Sequence, residues 1–185
     1  MPDDLRAWLE AHINLERGVG IPAEVHRATA PSLDRFWRLI ELLGSPQLDF
    51  SSIHLTGTNG KTSTARMLEH LLVTAGMHAG LYTSPNLERI NERIVINGEP
   101  IDDAMLDEQL RVIALVEEHL DEPPSYFEIF TAAAFRTFAD EAVDVAVIEV
   151  GMGGTWDATN VIDAPVAVIT NVELDHTNFL GNTRE

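Results

Sequence analysis

Cysteine is absent from the 185 residues. That excludes a disulfide scaffold and any zinc or iron–sulfur site built on thiolates. Positive charge is scarce: 12 Lys and Arg stand against 30 Asp and Glu, a net charge of −18. Such a balance argues against non-specific binding to nucleic acid. It leaves room for an anionic ligand, because backbone N–H groups can hold phosphate inside an acidic protein. Long apolar runs are missing too. The longest is Val112 to Val116, far short of the roughly 20 residues that span a bilayer. The opening residues, MPDDLRAWLE, are acidic and lack the basic stretch of a secretory signal. No membrane partner is expected, and the cytoplasm is the simplest home.

What is present suffices for a core. Hydrophobic residues make up 45% of the chain, which argues against disorder. The length is that of one domain, at roughly 100–200 residues each. Residues 1–50 read as a helical lead-in. Leu5, Trp8 and Leu9 recur at helical spacing, and Leu33, Phe36, Trp37, Ile40 and Leu43 form a stronger stripe. Ser32 is placed to cap that second helix, with Gly44 and Pro46 to stop it. The stretch from Asn14 to Pro31 reads as a loop.

From residue 51 the pattern changes to short β-branched runs alternating with amphipathic stretches. Strands are expected at Ser52–Thr56, Ala79–Thr83, Asp144–Val150 and Val166–Thr170. Helices are expected at Thr62–Ala75, with Leu68, Leu71, Leu72 and Ala75 on one face, from Asp102 or Asp103 to about Leu120, and at Tyr126–Asp140. Asn97-Gly98 predicts a type I′ hairpin within Arg93–Ile101. Strands alternating with helices of this size predict an α/β fold: a mostly parallel sheet of the P-loop type with helices on both faces.

Gly57-Thr58-Asn59-Gly60-Lys61-Thr62-Ser63 follows an apolar strand and opens a helix. That is the setting of a phosphate-binding loop. The glycines permit a tight turn and close backbone approach. The N–H groups at the helix start favour a polyanion. Lys61 can offset β- and γ-phosphate charge, and Thr62 or Ser63 offers a hydroxyl to phosphate or Mg²⁺. The general pattern G-x-x-x-x-G-K-[ST] is not strictly met, since its first glycine falls at Leu55. Glu149 ends the apolar run Val145–Ile148. A carboxylate there is costly unless paired with a cation or metal, and Mg²⁺ favours oxygen ligands. The alternative is a strand end facing solvent. Asp175-His176 follows the last strand similarly, although a lone histidine is more often structural than a ligand.

The GTNGKTS loop resembles that of the Mur ligase superfamily, the ATP-dependent amide-forming ligases. The segment Leu81-Tyr82-Thr83-Ser84-Pro85-Asn86-Leu87-Glu88-Arg89-Ile90-Asn91-Glu92-Arg93-Ile94 narrows this. It is similar to the YTSPHL-x-R-x-NERI stretch of the bacterial folylpolyglutamate synthase/dihydrofolate synthase family. Gly98-Glu99-Pro100-Ile101, Tyr126-Phe127-Glu128, Glu149 through Gly154, Asp157-Ala158-Thr159-Asn160 and Leu174-Asp175-His176-Thr177 continue the match in order. The resemblance runs from about residue 36 to the end.

The resemblance implies a central-domain fold like that of Mur ligases and an ATP-dependent ligase. The acceptor carboxylate of dihydropteroate or a folate is phosphorylated, and the amine of L-glutamate attacks the acyl phosphate. The loop residues Gly57 to Ser63 would hold ATP. Ser84, Glu149 and His176 would hold Mg²⁺, with Lys61, Glu149 and His176 acting in catalysis. Trp156, Asp157 and Ala158 would contact the pterin-bearing substrate, although Trp156 also reads as core packing. Tyr126 and Phe127 would line the substrate side, or else simply begin a buried helix. Thr155 stands where relatives often carry Arg, and Asn86 where they often carry His. Arg89, Asn91, Glu92 and Arg93 read as a solvated polar loop or, by resemblance, as substrate-proximal. Relatives continue into a lysine-bearing stretch and a C-terminal ligase domain. The expectation is therefore an incomplete ATP-binding domain over 51–185, monomeric and unable to turn over alone. A Mur-type ligase acting on a UDP-linked precursor and a non-catalytic nucleotide-binding module are the alternative readings.

Overall fold

The computed structural model describes residues 2, 4–14 and 33–174. Two helices lead: α1 (Leu5–Glu10), capped by the Asp4 carboxylate, and α2 (Asp34–Leu42). They are followed by β1 (Ser51–Thr56), α3 (Lys61–Thr74), β2 (Ala79–Tyr82), β3 (Ile94–Ile96) and β4 (Glu99–Pro100). Then come α4 (Asp103–Glu117), α5 (Tyr126–Asp140), β5 (Val145–Glu149) and β6 (Val166–Ile169). The six strands form one sheet in the order β4-β3-β2-β5-β1-β6. β2, β5, β1 and β6 run parallel, and β3 and β4 complete the β2 edge as an antiparallel hairpin.

Each element follows from local chemistry. β5 is buried at all five positions, as a central parallel strand covered on both faces requires. The hairpin turns at Asn97 and Gly98, both at positive φ, matching type I′. α4 starts where the Asp102 carboxylate accepts the Met105 N–H. α5 starts at a reciprocal cap between Ser125 and Glu128. Gly44 at φ 89° and Pro46 end α2.

The strands' alternation sorts the core into two layers. Leu55, Leu81, Val95 and Val147 face Ala65 of α3, with Leu68 and Leu72 beside them. Tyr82, Ile94, Ala146 and Ile148 face Ile129, Phe130, Phe135 and Phe138 of α5. Each large apolar side chain buried this way contributes about 1.5–3 kcal/mol. Leu9 of α1 and Phe36, Leu39 and Ile40 of α2 join the same α5-side cluster. α1 is also tied to α4, since Glu117 accepts from Trp8 Nε1 at 2.8 Å and pairs with His12 Nε2 at 2.7 Å. Both Glu117 carboxylate oxygens are thus engaged, by Trp8 of α1 and by His12 just after it.

Four sequence expectations need correction. Leu71 and Ala75 of α3 face outward, Leu71 at 63% exposure. The inward arc is Ala65, Leu68, Glu69 and Leu72, rotated because α3 packs chiefly over β2 and β5. Trp37 is exposed rather than part of the α2 stripe. α4 stops at Glu117, before Leu120. Asn91 and Arg93 are not a solvated loop but buried. Asn91 donates to the Ile101 carbonyl and Asp103, and the Arg93 guanidinium lies over the Tyr126 and Phe130 rings. Burial is tolerable for Arg93 because ring faces and the Asn86 Oδ1, at 2.9 Å from Nε, replace water. Ser32 and most of the Asn14–Pro31 loop lie outside the described residues. Among the described residues no helix is long and apolar enough to cross a membrane.

Candidate nucleotide site at the carboxyl ends of the strands

Parallel strands deliver their carboxyl ends to one edge of the sheet, where α/β folds bind ligands. Here that edge gathers the loop after β1, the segment after β2, Glu149 at the end of β5 and Thr170 after β6. Register sets the alignment: Leu55 lies opposite Glu149 and Thr56 opposite Ile169.

The loop makes its turn at Gly57, whose φ is 137°. A Cβ there would overlap the Thr170 hydroxyl and press on the Asn171 backbone, so only glycine fits. Gly60, at φ 80°, is the N-cap of α3 and makes no side-chain cap. The N–H groups of the first helical turn thus have no intrahelical partner and carry the positive end of the helix dipole. Lys61 folds over the loop, its Nζ donating to the Gly57 carbonyl at 2.8 Å and the Thr58 carbonyl at 3.4 Å. Asn59, Gly60 and Ser63 are exposed.

Thr62 donates its hydroxyl to Glu149 Oε1 at 3.0 Å. Glu149 is 1% exposed, and its other oxygen, Oε2, is buried without a hydrogen-bond partner among the described residues. Burial pushes its carboxyl up to about 7, against the opposing pull of the Thr62 hydroxyl and the Lys61 and Arg66 charges. The Ser84 N–H also favours the charged form, from nearby and without closing a hydrogen bond of normal geometry. Ser84 itself is buried. An orphaned carboxylate oxygen, on a group whose other oxygen meets the Thr62 hydroxyl, fits a hard cation. The expected metal residues Ser84 and Glu149 are therefore neighbours beside Lys61. The third, His176, lies outside the described residues.

After β5 the chain turns at Gly151. The Phe127 ring sits where a Cβ would be, at 2.5 Å, with Asp157 Oδ2 at 3.1 Å. Asp157 is buried, and both of its oxygens are engaged. Oδ2 accepts the Met152 N–H at 2.8 Å, and Oδ1 accepts the Thr159 N–H at 3.0 Å and its hydroxyl at 2.5 Å. Burial raises its carboxyl above the usual range, with the Thr159 and Met152 bonds opposing. His54 of β1 reaches the Thr159 hydroxyl at 2.8 Å, and burial lowers its ring. Asp157 thus holds the turn that follows Glu149. Ala158 is part of the core, Trp156 is half-buried, and Tyr126 is buried against Phe130. Phe127 is half-buried beside Tyr82.

Sequence reasoning passed over several residues at this edge. Arg66 lies one helical turn after Thr62, a spacing that could have flagged it. His54 precedes the loop by three residues on the same strand. Thr170 and Asn171 carry no pattern of their own, and only the β1–β6 pairing brings them to the loop.

The Mur ligase middle domain matches residues 55–185 of the chain. The chain is 49% identical over 162 residues to a dihydrofolate synthase/folylpolyglutamate synthase of Mycobacterium tuberculosis, covering 82% of this chain and 33% of the relative. A Mycobacterium tuberculosis folylpolyglutamate synthase complexed with ADP superposes with a TM-score of 0.77 at 50% identity, over 81% of this chain and 35% of that one. A folylpolyglutamate synthase complexed with AMPPCP and folate does so at 0.82 and 40% identity, over 97% of this chain and 42% of that one. The chain spans 33% of the length of that curated relative and 35% and 42% of the two solved chains.

Proposed function

Because the chain belongs to the Mur ligase family through its middle domain, we propose that it forms the ATP-binding part of a ligase joining L-glutamate to dihydropteroate or a folate. A carboxylate is a poor electrophile. The carboxylate oxygen attacks the γ-phosphorus of ATP, ADP leaves and an acyl phosphate forms; the glutamate amine then attacks the acyl carbon, phosphate leaves with the C–O bond's electrons, and the amine's proton is lost to solvent. Two anions must meet for the first step, so positive charge must be arranged beforehand. The first-turn N–H groups of α3 and the Lys61 ammonium supply it. The observation that carries the reading is the Glu149 carboxylate, buried beside Lys61 and Thr62 with one oxygen unpartnered.

Ser84, Glu149 and His176 are the side chains that would hold Mg²⁺, whose chemistry there is to offset phosphate charge. Thr62 orients the Glu149 oxygen that it binds. The relatives' complexes with ADP, AMPPCP and folate support ATP and a folate as ligands. For the folate side, Phe127 and Trp156 are the half-buried aromatic faces near the turn after Glu149, and Asp157 acts there by fixing that turn. The proposed partners are small molecules, and a monomer in the cytoplasm is the simplest setting. Isothermal titration of the chain with a non-hydrolysable ATP analogue, with and without Mg²⁺, tests the reading. Binding strengthened by Mg²⁺ and weakened about tenfold or more in Lys61→Ala is expected. Equal titration of wild type and Lys61→Ala would overturn it.

A further inference from the structure

The phosphate loop does not hold its shape alone. Three residues after β6, Thr170, Asn171 and Glu173, clasp it. The Asn171 side-chain oxygen accepts the Asn59 N–H at 2.8 Å, and the Asn171 backbone carbonyl accepts the Thr58 N–H at 3.0 Å. The Thr170 hydroxyl donates to the Asn59 carbonyl at 2.7 Å. Glu173 and Thr58 exchange two bonds: the Glu173 N–H donates to the Thr58 hydroxyl at 2.9 Å, which donates to the Glu173 carbonyl at 3.2 Å. The two N–H groups that follow Gly57 are thus committed to the clasp. Those at the start of α3 are left for an anion.

We infer that Asn171 is a positioning residue for the phosphate loop: its side-chain amide fixes Asn59 and so decides which loop N–H groups face the ligand. The inference deepens the ATP reading and rests on it for the ligand, but not for the clasp. Three features carry it. The Asn59 N–H has a side-chain acceptor rather than the backbone partner a regular element would give it. Asn171 acts at two successive loop positions, through two different groups. Gly57 is held at a conformation only glycine adopts, by contact with the same Thr170–Asn171 step. The clasp also stands immediately before Asp175-His176 in sequence, so loop shape and the approach to the third expected metal residue share one segment.

Two readouts on the 185-residue chain test this. Amide exchange, followed by NMR without nucleotide, reads the clasp directly. Asn171→Ala removes only the side-chain acceptor, so the Asn59 amide is expected to exchange faster while the Thr58 amide keeps its protection. Asn171→Asp keeps the acceptor and is expected to restore Asn59 protection. The non-hydrolysable ATP analogue is expected to bind Asn171→Ala about fivefold more weakly, the worth of one net hydrogen bond. Should that variant fold poorly, Thr58→Val removes only the two bonds to Glu173 and is expected to weaken the analogue in the same direction. Unchanged Asn59 exchange in Asn171→Ala, loss of Thr58 and Asn59 protection together, or unaltered affinity in both variants would overturn the inference. A wild-type chain that ignores the analogue would sink the ATP reading, while the exchange pattern would still judge the clasp.

Discussion

The Thr62 hydroxyl donates to Glu149 across 3.0 Å, joining the first turn of α3 to the last residue of β5. The bond ties the phosphate loop to the most deeply buried carboxylate of the strand edge. It also satisfies one oxygen of Glu149 and leaves the other for a ligand. Lys61 stands one residue earlier on the same turn, so a cationic side chain, a hydroxyl and a carboxylate converge within a single helical step.

Glu149 should make stability fall with rising pH in a defined window. Its folded carboxyl titrates at about 7, because of burial, against 4.5 when unfolded. Between those values the folded state binds the extra proton. Stability is therefore full below 4.5 and declines as pH rises to about 7. The burden at pH 8 is at most on the order of 3 kcal/mol. Glu149→Gln removes it, so the wild-type-minus-variant difference in urea melts, with EDTA present, should shift steadily from pH 5 to 8 in the variant's favour. A pH-independent difference would refute this. Any cation at the site needs the charged form, so Mg²⁺-dependent nucleotide binding should weaken below pH 7.

Lys61→Ala should separate binding from folding. Among the described residues the ammonium bonds to the Gly57 and Thr58 carbonyls alone, so its loss should cost about 1 kcal/mol of stability. Its charge is what a polyphosphate needs, and affinity for the ATP analogue should fall by about tenfold or more. A melting shift far larger than this, or an unaltered affinity, would contradict the role.

Much of this was legible in the sequence. The Asn97-Gly98 turn, the start of α4 at Asp102 and the apolar run Val145–Ile148 of β5 are local signals, and local chemistry decides them. The turn between β1 and α3 was legible because Gly57 and Gly60 answer to backbone geometry. What stayed hidden depends on packing at a distance. The side of α3 that faces the sheet is set by β2 and β5, so Leu71 and Ala75 were misplaced and the burial of Glu69 unseen. Arg93 looked like a surface arginine until Tyr126 and Phe130, more than thirty residues on, supplied its ring faces. Asp157 carried a substrate expectation, yet its oxygens are spent on Met152 and Thr159, partners that only the folded turn brings within reach.

Thr159 bridges a buried carboxyl and a half-buried imidazole, donating to Asp157 at 2.5 Å and meeting His54 Nε2 at 2.8 Å. Thr159→Val keeps the shape and deletes the hydroxyl. Asp157 loses one donor and His54 its partner, at a cost of about 2 kcal/mol. Chemical denaturation measures this directly. Wild-type stability in the variant would mean that water replaces the hydroxyl and that the bridge is dispensable.

Gly151 and Phe127 should behave as a size-coupled pair. A Cβ at residue 151 would meet the Phe127 ring at 2.5 Å, and Tyr82 stands on one side of that ring, centroids 6.1 Å apart. Gly151→Ala should therefore destabilise by about 1–3 kcal/mol, as overpacking does. It should also displace the turn that follows Glu149. Phe127→Leu alone should cost about 1 kcal/mol by loss of packing. Combined with Gly151→Ala it should recover part of the loss, because the smaller side chain vacates the space the new methyl needs. A double-mutant cycle in urea melts gives the coupling. Strict additivity would show that the turn yields instead of the ring, and that Phe127 does not set the position of the segment carrying Trp156 and Asp157.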